Sequence, residues 1–303
     1  MTFEVTILGS SSATPVYNRN PTAQLLNCNE RFYLIDCGEG TQQQLMRFGL
    51  KASKIDYIFI SHLHGDHYFG LVGLLSSMHL NGRIKPLHLF CPPALQDILQ
   101  LQFLHSETAL RYPLVFHFTQ DREPEVLLEN SDVTVESFLL NHRIPCTGFR
   151  FTEKKRLRRL QVDKLEAAQI PMTYYPLLKR GLDVELPGGG WLRSQDYTSD
   201  SPRPKRYAYC SDTLMDESYF AAIQGCDTLY HEATFMQDML ERAQETHHST
   251  AMQAAQAALK TGAKKLLIGH FSSRYKTLSP LLEEAQAVFP QTALATEGQT
   301  FQI

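Results

Sequence analysis

Runs of apolar, β-branched and aromatic residues recur along the chain and predict a series of buried strands. The strongest of these runs cover residues 3–8, 55–60, 133–140, 207–210 and 265–268. Weaker patterns predict strands at 23–26, 31–35, 87–90 and 227–230, and an extended segment at 292–303. Because several runs are apolar throughout, without alternating polar residues, we expect sheets that are covered on both faces.

Helix patterns lie between the predicted strands, and several carry a start or stop signal. They cover residues 42–48, a helix start at 68–75, a long segment after Pro92-Pro93, 218–223, 249–260 and the segment after Ser279-Pro280. In the long segment, the apolar face is predicted to consist of Leu95, Ile98, Leu99 and Leu101. Ser249 is the predicted N-cap of the helix at 249–260, and Gly262 its predicted end. The order of elements indicates an α/β fold of two packed sheets with helices outside.

Composition is that of an ordinary globular protein. The chain has 303 residues, 43% hydrophobic and 20% charged, so it is long enough to form a large core without disulfides. Six scattered cysteines without a Cys-x-x-Cys pair indicate small core residues in a reducing compartment. The N-terminal residues have a strand pattern with an acidic residue inside it, so we expect no signal peptide. No apolar run is long enough to cross a bilayer, and we expect a cytoplasmic protein with no membrane partner.

The densest group of chemically active residues is the loop His62-Leu63-His64-Gly65-Asp66-His67, between the predicted strand 55–60 and an apolar helix start. Imidazole and carboxylate ligands together suit Zn²⁺ and similar divalent ions. Four potential ligands in this loop exceed the three protein ligands that a catalytic zinc needs beside a water molecule, so the loop favours two metals. A polar loop with surface histidines is the alternative, but the density of ligand atoms at a strand end argues against it.

Three further strand ends carry a ligand-type residue. His142 follows the strand at 133–140, Asp212 follows 207–210 and His270 follows 265–268. Because strand ends at one edge of a sheet converge on a single cleft, these residues and the loop together indicate one metal centre. Glu232 follows the strand at 227–230, and His248 precedes a helix, where a proton donor or an anion contact can lie. A supporting or capping role is the equal alternative for the last two.

Residues 62–67 resemble the His-x-His-x-Asp-His motif of the metallo-β-lactamase superfamily, and with Ser61 they are similar to the form of the ribonuclease Z family of tRNA 3′-processing endonucleases. Many hydrolases share the superfamily motif. The full set of matches, in this order and over most of the chain, resembles the short form of ribonuclease Z specifically. The further matches are residues 36–42, His142 with Pro145 and Gly148, 211–213, 231–234, 248–250 and 270–272 with Arg274-Tyr275.

The resemblance implies a metallo-β-lactamase-like αββα sandwich of two packed mixed sheets with outer helices, as one domain over residues 1–303, with two Zn²⁺ ions per subunit. The implied metal ligands are His62, His64 and His142 for one zinc, Asp66, His67 and His270 for the other, and Asp212 as the bridge. Asp66 is also implied as the general base, and His248 as the proton donor to the leaving oxygen. The further candidates are Ser249, Ser272 and Arg274 for contacts to the phosphate, and Glu232 and Asp36 for orienting the histidines.

Residues 153–206 form a basic segment interrupted by proline and glycine. They carry 12 Lys and Arg against 7 Asp and Glu, whereas the rest of the chain carries 17 against 25. A basic segment on an acidic body indicates a polyanion contact, with a solvated charged helix as the alternative. The segment resembles the inserted arm with which ribonuclease Z enzymes grip tRNA; it keeps a Leu-Lys-x-Gly sequence at 178–181 but lacks the family's Gly-Pro motif. The residues assigned to this contact are Lys154, Lys155, Arg156, Arg158, Arg159 and Lys179.

In terms of function, the resemblance implies a zinc-dependent endoribonuclease that cleaves the 3′ trailer from tRNA precursors, leaving a 3′-hydroxyl on the tRNA and a 5′-phosphate on the trailer. It also implies a homodimer, precursor tRNA as the partner and no DNA partner. A small-molecule or cyclic phosphodiesterase of the same superfamily is the alternative, because it uses the same metals without the arm. A non-catalytic RNA-binding protein with a relic metal site is a third hypothesis, which the complete ligand set opposes.

Overall fold

The structure is a computed structural model that describes residues 2–120 and 122–303. Met1, the first residue of the N-terminal strand pattern, lies outside the described residues. The chain divides into two compact units: one combines the residues up to Thr152 with Lys205–Ile303, and the other is Glu153–Pro204. We call them the sandwich unit and the arm unit.

Strands and helices alternate along most of the described chain. The strands are β1 (Phe3–Gly9), β2 (Ala23–Cys28), β3 (Arg31–Ile35), β4 (Ile55–Phe59), β5 (Leu87–Cys91), β6 (Leu114–Phe118), β7 (Val126–Glu129), β8 (Val133–Leu140), β9 (Cys146–Glu153), β10 (Arg159–Leu160), β11 (Val184–Glu185), β12 (Trp191–Leu192), β13 (Thr198–Ser199), β14 (Arg206–Cys210), β15 (Thr228–Glu232), β16 (Lys265–Gly269), β17 (Thr292–Leu294) and β18 (Thr300–Gln302). The α-helices are α1 (Thr41–Arg47), α2 (Gly65–Tyr68), α3 (Leu71–Leu80), α4 (Ala94–His105), α5 (Val162–Ala167), α6 (Tyr175–Lys179), α7 (Ser194–Tyr197), α8 (Phe220–Ile223), α9 (Leu240–Thr246), α10 (Ala251–Thr261) and α11 (Ser279–Val288).

Two seven-stranded mixed sheets make up the sandwich unit. The first has the strand order β18-β1-β2-β3-β4-β5-β6 and is antiparallel from β18 to β3 and parallel from β3 to β6. The second has the order β17-β16-β15-β14-β9-β8-β7 and is parallel from β17 to β14 and antiparallel at the β14–β9 and β8–β7 pairs. Each parallel pair needs a crossover connection, which is why helices separate these strands in the sequence.

Side-chain alternation along the strands builds three apolar layers. In β14, Tyr207 and Tyr209 lie in the core between the two sheets, whereas Ala208 and Cys210 lie in the core beneath α8, α10 and α11. A second outer core packs α1, α3 and α4 against the first sheet. The order helix, sheet, sheet, helix confirms the predicted sandwich of two packed mixed sheets with outer helices. It also explains the continuously apolar runs, because both faces of the central strands are covered.

The apolar pattern misses β6, β7, β9 and α9. β6 and β7 lie at the edges of the two sheets, where side chains are only partly buried and the apolar signal is weak. β9 is an inner strand, but glycine, threonine and charged residues interrupt its apolar positions. The predicted apolar face of α4 is partly wrong. Leu95 and Leu99 are buried, whereas Ile98 and Leu101 are 39% and 58% exposed.

The predicted N-cap of α10 is wrong by one residue. The Thr250 hydroxyl accepts the backbone N–H of Gln253 at 3.1 Å, and the Gln253 side chain accepts the backbone N–H of Thr250 at 3.0 Å. This capping box satisfies two N–H groups at the start of the helix. Ser249 is therefore outside the cap, while the predicted end at Gly262 is confirmed by its left-handed φ of 64°.

The cysteines lie in the apolar layers, as the sequence predicts. All six are buried, and within the described residues none forms a disulfide. Cys28 is in the core between the sheets, Cys37 and Cys91 are in the core of the first sheet's helices, and Cys146, Cys210 and Cys226 are in that of the second. In residues 2–120 and 122–303 there is no helix with the length and apolar composition needed to cross a bilayer.

The arm unit has a small core of its own, formed by Leu165, Leu178 and Leu192. Its regular structure consists of two short antiparallel ladders, β10 with β13 and β11 with β12, and the helices α5, α6 and α7. The proline- and glycine-interrupted basic segment thus folds from short elements.

Candidate metal centre

Strands from both sheets end at the same place, and each end carries a ligand-type residue. His62 follows β4, His142 follows β8, Asp212 follows β14 and His270 follows β16. Asp212 Oδ2 lies 3.5 Å from His62 Nε2, and Asp212 Oδ1 lies 3.1 Å from His270 Nε2. The four strand ends therefore meet in one cluster.

The first group of converging ligand atoms comprises His62, His64, His142 and Asp212, all within 4.8 Å of one another. His64 Nδ1 lies 3.0 Å from His62 Nε2 and 3.1 Å from His142 Nε2. Asp212 Oδ2 completes the group at 3.5 Å from His62 Nε2 and 3.8 Å from His142 Nε2. Three imidazole nitrogens and a carboxylate oxygen aimed at one point are a donor set suited to Zn²⁺.

The second group comprises Asp66, His67 and His270. Asp66 Oδ2 lies 3.5 Å from His67 Nε2 and 3.3 Å from His270 Nε2. Asp212 Oδ1 faces the same two nitrogens at 3.4 and 3.1 Å. Asp212 thus turns one oxygen to each group. The buried His67 Nε2 has no hydrogen-bond partner among the described residues, which is the environment of a nitrogen that ligates a metal.

The loop of residues 62–67 and the start of the helix after it are held against the end of β3 by close backbone contacts. The Cys37 N–H donates to His67 O at 2.7 Å, and the Gly70 N–H donates to Cys37 O at 2.9 Å. A Cβ on Gly70 would lie 2.2 Å from the carbonyl oxygen of Gly38, so only glycine permits this approach.

Four of the histidines have a protein partner on the ring nitrogen that faces away from the cluster. The pairs are His62 Nδ1 with Ser61 Oγ (3.0 Å), His67 Nδ1 with Asp36 Oδ2 (2.8 Å), His142 Nδ1 with the carbonyl oxygen of His247 (2.9 Å) and His270 Nδ1 with Thr234 Oγ1 (2.9 Å). Such partners fix the ring orientation and the tautomer, and leave the other nitrogen to bind metal. The sequence identifies Asp36 among them but misses Ser61, Thr234 and the His247 carbonyl.

The electrostatic environment differs between the two groups. Burial lowers the pKa of His142 to about 4 and that of His62 well below its ordinary value, so both rings are neutral and suited to metal binding. Burial alone would also lower the pKa of His67. The carboxylates of Asp212, Asp66 and Asp36 instead raise it well above its ordinary value, so this part of the site favours a positive charge.

His248 lies beside the cluster and is held by a buried carboxylate. Its Nδ1 is 2.8 Å from Glu232 Oε1, and its ring centroid is 5.2 Å from that of His142 and 5.4 Å from that of His270. Burial lowers the pKa of His248, but the adjacent charge and hydrogen bond of Glu232 outweigh this and raise it to about 9. Glu232 is the last residue of β15 and not, as the sequence predicts, a residue beyond the strand.

A backbone amide in the loop after β1 also reaches the cluster. The Ala13 N–H donates to Asp66 Oδ2 at 2.7 Å, and Ala13 has a left-handed φ of 62°. The neighbouring Ser12 N–H donates to the carbonyl oxygen of Phe271 at 3.0 Å. The sequence contains no side-chain signal for this contact, because the donor is a backbone group.

The three candidates for phosphate contacts lie in different surroundings. Ser249 is fully buried, and its hydroxyl donates to the carbonyl oxygen of Thr213 at 2.6 Å, so it is already engaged. Ser272 follows His270 by two residues, and its hydroxyl is 3.4 Å from the Arg274 N–H. The exposed Arg274 guanidinium lies 5.9 Å from the ring centroid of Phe235.

Several basic residues of the arm unit line a cavity of about 770 Å³. Of the six predicted contact residues, Lys155, Arg156, Arg158 and Lys179 line it. Arg158 donates to Asp200, which lies on the same wall. Lys154 and Arg159 belong to the same unit but are not among the lining residues.

Comparisons with known proteins place the fold and the family. The human short-form tRNase Z structure superposes with a TM-score of 0.72 at 27% identity, over 99% of both chains. The metallo-β-lactamase fold protein YhfI from Bacillus subtilis has a TM-score of 0.70 at 19% identity, over 99% of both chains, and supports the fold alone. A family model described as "Anti-Pycsar protein Apyc1" matches residues 3–143.

Sequence relatives match over nearly the full length. Ribonuclease Z of Bacteroides fragilis is 43% identical over 296 residues, which is 98% of this chain and 97% of the relative. Ribonuclease Z of Cytophaga hutchinsonii is 46% identical over 304 residues, covering 100% of this chain and 97% of the relative. At this identity and coverage, the chain belongs to the ribonuclease Z family.

Proposed function

We propose that the chain is a zinc-dependent endoribonuclease that removes the 3′ trailer from tRNA precursors, leaving a 3′-hydroxyl on the tRNA and a 5′-phosphate on the trailer. The observation that carries this proposal is the pair of ligand groups joined by the two oxygens of Asp212. The near full-length similarity to ribonuclease Z proteins supports tRNA as the substrate.

The site holds two Zn²⁺ ions per subunit in this proposal. His62, His64 and His142 would hold one ion, Asp66, His67 and His270 would hold the other, and Asp212, with one oxygen facing each group, would be the ligand shared by both. The nitrogen-rich donor set and the unpartnered His67 Nε2 support zinc. When bound, the ions lower the pKa of water and offset the charge that develops on the phosphoryl oxygens.

The chain's own residues supply the proton transfers. Asp66 accepts the proton of the attacking water, and the Ala13 N–H orients its carboxylate. His248 donates a proton to the leaving 3′ oxygen. The adjacent Glu232 keeps His248 protonated near neutral pH, because it raises the pKa of the imidazole to about 9. Ser272 and Arg274, which follow His270 in the sequence, contact the phosphate in this proposal.

The arm unit binds the folded part of the tRNA through charge and shape in this proposal. Its basic cavity supports an anion contact, because Lys155, Arg156, Arg158 and Lys179 surround it. A double-stranded RNA stem is recognised through its phosphates and shape, so no base-specific residues are required in the arm. We expect no DNA partner.

A homodimer is part of the proposal. Large apolar side chains near α1 and α3 are exposed on the sandwich unit: Met46 71%, Phe69 65%, Leu80 77% and Ile84 77%. Met46 and Ile84 line a cavity of about 570 Å³ beside these helices. An apolar surface at this cavity supports an interface between subunits in this proposal.

Cleavage of a precursor tRNA, with mapping of both product ends, tests the proposed reaction. We expect Asp66→Ala to lower the rate by about 10²- to 10⁴-fold, since it removes a general base as well as a metal ligand. Asp97→Ala, at an exposed carboxylate of α4, is the matched control and should cleave at the wild-type rate. Equal cleavage by Asp66→Ala and Asp97→Ala would exclude the proposed centre.

A second assay separates this function from a small-molecule phosphodiesterase. Lys155→Glu with Lys179→Glu places two negative charges in the arm cavity, whereas Lys164→Glu reverses an exposed arm charge outside it. We expect the double variant to raise the KM for precursor tRNA and leave hydrolysis of a small phosphodiester unchanged. Unchanged tRNA cleavage in the double variant would contradict the role of the arm, and hydrolysis of the small phosphodiester without any cleavage of precursor tRNA by the wild type would favour the phosphodiesterase.

A further inference from the structure

The Asp36 carboxylate accepts four hydrogen bonds behind the metal centre. Asp36 is fully buried and follows β3 with a left-handed φ of 54°. Its Oδ1 accepts the Ser61 N–H at 2.7 Å. Its Oδ2 accepts the Ser61 hydroxyl at 2.9 Å, His67 Nδ1–H at 2.8 Å and the Tyr209 hydroxyl at 2.6 Å. The orientation of His67 therefore depends on how firmly this carboxylate is held.

Of these partners of Asp36, Tyr209 belongs to the second sheet, whereas Ser61 and His67 follow β4 of the first. It lies in β14, is fully buried in the core between the sheets, and stacks on Tyr230 with a centroid distance of 5.0 Å and an interplanar angle of 11°. Burial raises the pKa of Tyr209 well above its ordinary value, so the phenol stays protonated and acts as a donor. A packed aromatic ring on a central strand gives this donor a fixed position.

We propose that Tyr209 is a positioning residue for the metal centre: its hydroxyl fixes the Asp36 carboxylate, which holds His67 with Nε2 directed at the metal. This inference rests on the proposed metal site. A hydrogen bond to a buried carboxylate cannot be replaced by water here, because Asp36 and Tyr209 are both fully buried. Losing the hydroxyl loosens Asp36, and through it the ring of His67.

Tyr207 provides a matched control within the same strand. It is two residues before Tyr209, is equally buried and lies in the same core between the sheets. Its hydroxyl donates to Gln24 and not to Asp36. Tyr207→Phe and Tyr209→Phe therefore remove the same atom from the same environment, and only the second removes a bond to Asp36.

The experiment is a zinc titration of purified wild-type protein, Tyr209→Phe and Tyr207→Phe against a competing chelator, without tRNA. We expect Tyr209→Phe to weaken zinc binding by about 10-fold in at least one site, which is the lower end of the range for partners of ligating histidines, because Tyr209 acts on His67 through Asp36. Tyr207→Phe should match the wild type. Precursor cleavage by Tyr209→Phe should be low at limiting zinc and recover at saturating zinc. A loss below about threefold in both sites, or an equal loss in Tyr207→Phe, overturns the proposal.

A double variant distinguishes positioning from a general loss of stability. If Tyr209 acts through Asp36, Tyr209→Phe adds no further loss of zinc affinity in an Asp36→Asn background; additive losses overturn the proposal. If Tyr209→Phe does not fold, 4-fluorophenylalanine at position 209 keeps the ring and replaces the hydroxyl with a fluorine that cannot donate a hydrogen bond, and it takes the same place in the titration. Because zinc affinity is measured without substrate, a failure of this inference is separate from a failure of the proposed reaction.

Discussion

A partly buried carboxylate near the C-terminus, that of Glu297, is predicted to make stability depend on pH. Glu297 Oε1 accepts the backbone N–H of Asn20 at 2.6 Å and that of Ser10 at 3.2 Å, and Oε2 accepts from Gln44 Nε2 at 2.6 Å. Burial raises the pKa of Glu297 from 4.5 to about 7, although these hydrogen bonds and the charge of Arg19 oppose the shift. Through Ser10 and Asn20, Glu297 thereby holds both ends of the loop after β1, in which the Ala13 N–H donates to Asp66.

The difference in proton binding between the folded and unfolded protein determines the sign and size of this pH dependence. The folded carboxyl binds its proton more tightly than the unfolded one, so the contribution of Glu297 to stability is greatest below pH 4.5 and falls as the pH rises towards 7. A shift from 4.5 to about 7 corresponds to at most about 3 kcal/mol, and to about 1–2 kcal/mol after solvent screening of the partly exposed group. Glu297→Gln cannot ionise, so it removes this dependence. If the new amide of residue 297 pairs poorly with the amide of Gln44, the free energy of unfolding falls by the same amount at every pH.

Urea denaturation of the wild type and Glu297→Gln between about pH 5 and 8 measures the effect. We expect the free energy of unfolding of the variant, relative to the wild type, to increase by about 1–2 kcal/mol across this range. Glu283→Gln, at an exposed carboxylate of α11, is the control and should follow the wild type throughout. Parallel curves for Glu297→Gln and the wild type would refute the raised pKa of Glu297.

Four further perturbations have defined outcomes. His248→Ala should lower kcat by about 10²- to 10⁴-fold with unchanged zinc content by mass spectrometry, and a wild-type kcat would exclude it as the proton donor. Thr250→Ala should lose about 1 kcal/mol of unfolding free energy in urea, whereas Thr250→Ser should keep the cap; equal stability of the two would contradict the capping box. Gly70→Ala should reduce both stability and zinc content, because its Cβ would meet the Gly38 carbonyl oxygen at 2.2 Å; a fully zinc-loaded variant would contradict this. Removing the metal with a chelator should abolish cleavage and added Zn²⁺ should restore it, whereas cleavage by metal-free protein would contradict the assignment.

Much of the site could be predicted because its ligand-type residues follow segments with a strong strand pattern. The apolar runs that end before His62, His142, Asp212 and His270 mark buried strands, and the ligand-type side chain comes directly after each strand or one or two residues later. The edge strands β6 and β7 could not be predicted in the same way, because partial exposure weakens the apolar pattern. Ser249 has the residue type of an N-cap and of a phosphate contact, but the fold turns its hydroxyl to the Thr213 carbonyl.

By itself, the sequence determined the strand-rich α/β sandwich, the ligand types and their places after the strands, because these depend on local periodicity and residue chemistry. The division of the candidate ligands into two groups around Asp212 was implied by the family resemblance, and only the tertiary structure showed which groups hold these side chains in place. Tyr209 and Asp36 are 173 positions apart, so no local pattern joins them. The Ala13 contact to Asp66 uses a backbone amide, which any residue except proline provides. Such contacts depend on the packing of one sheet against the other and on the path of a loop.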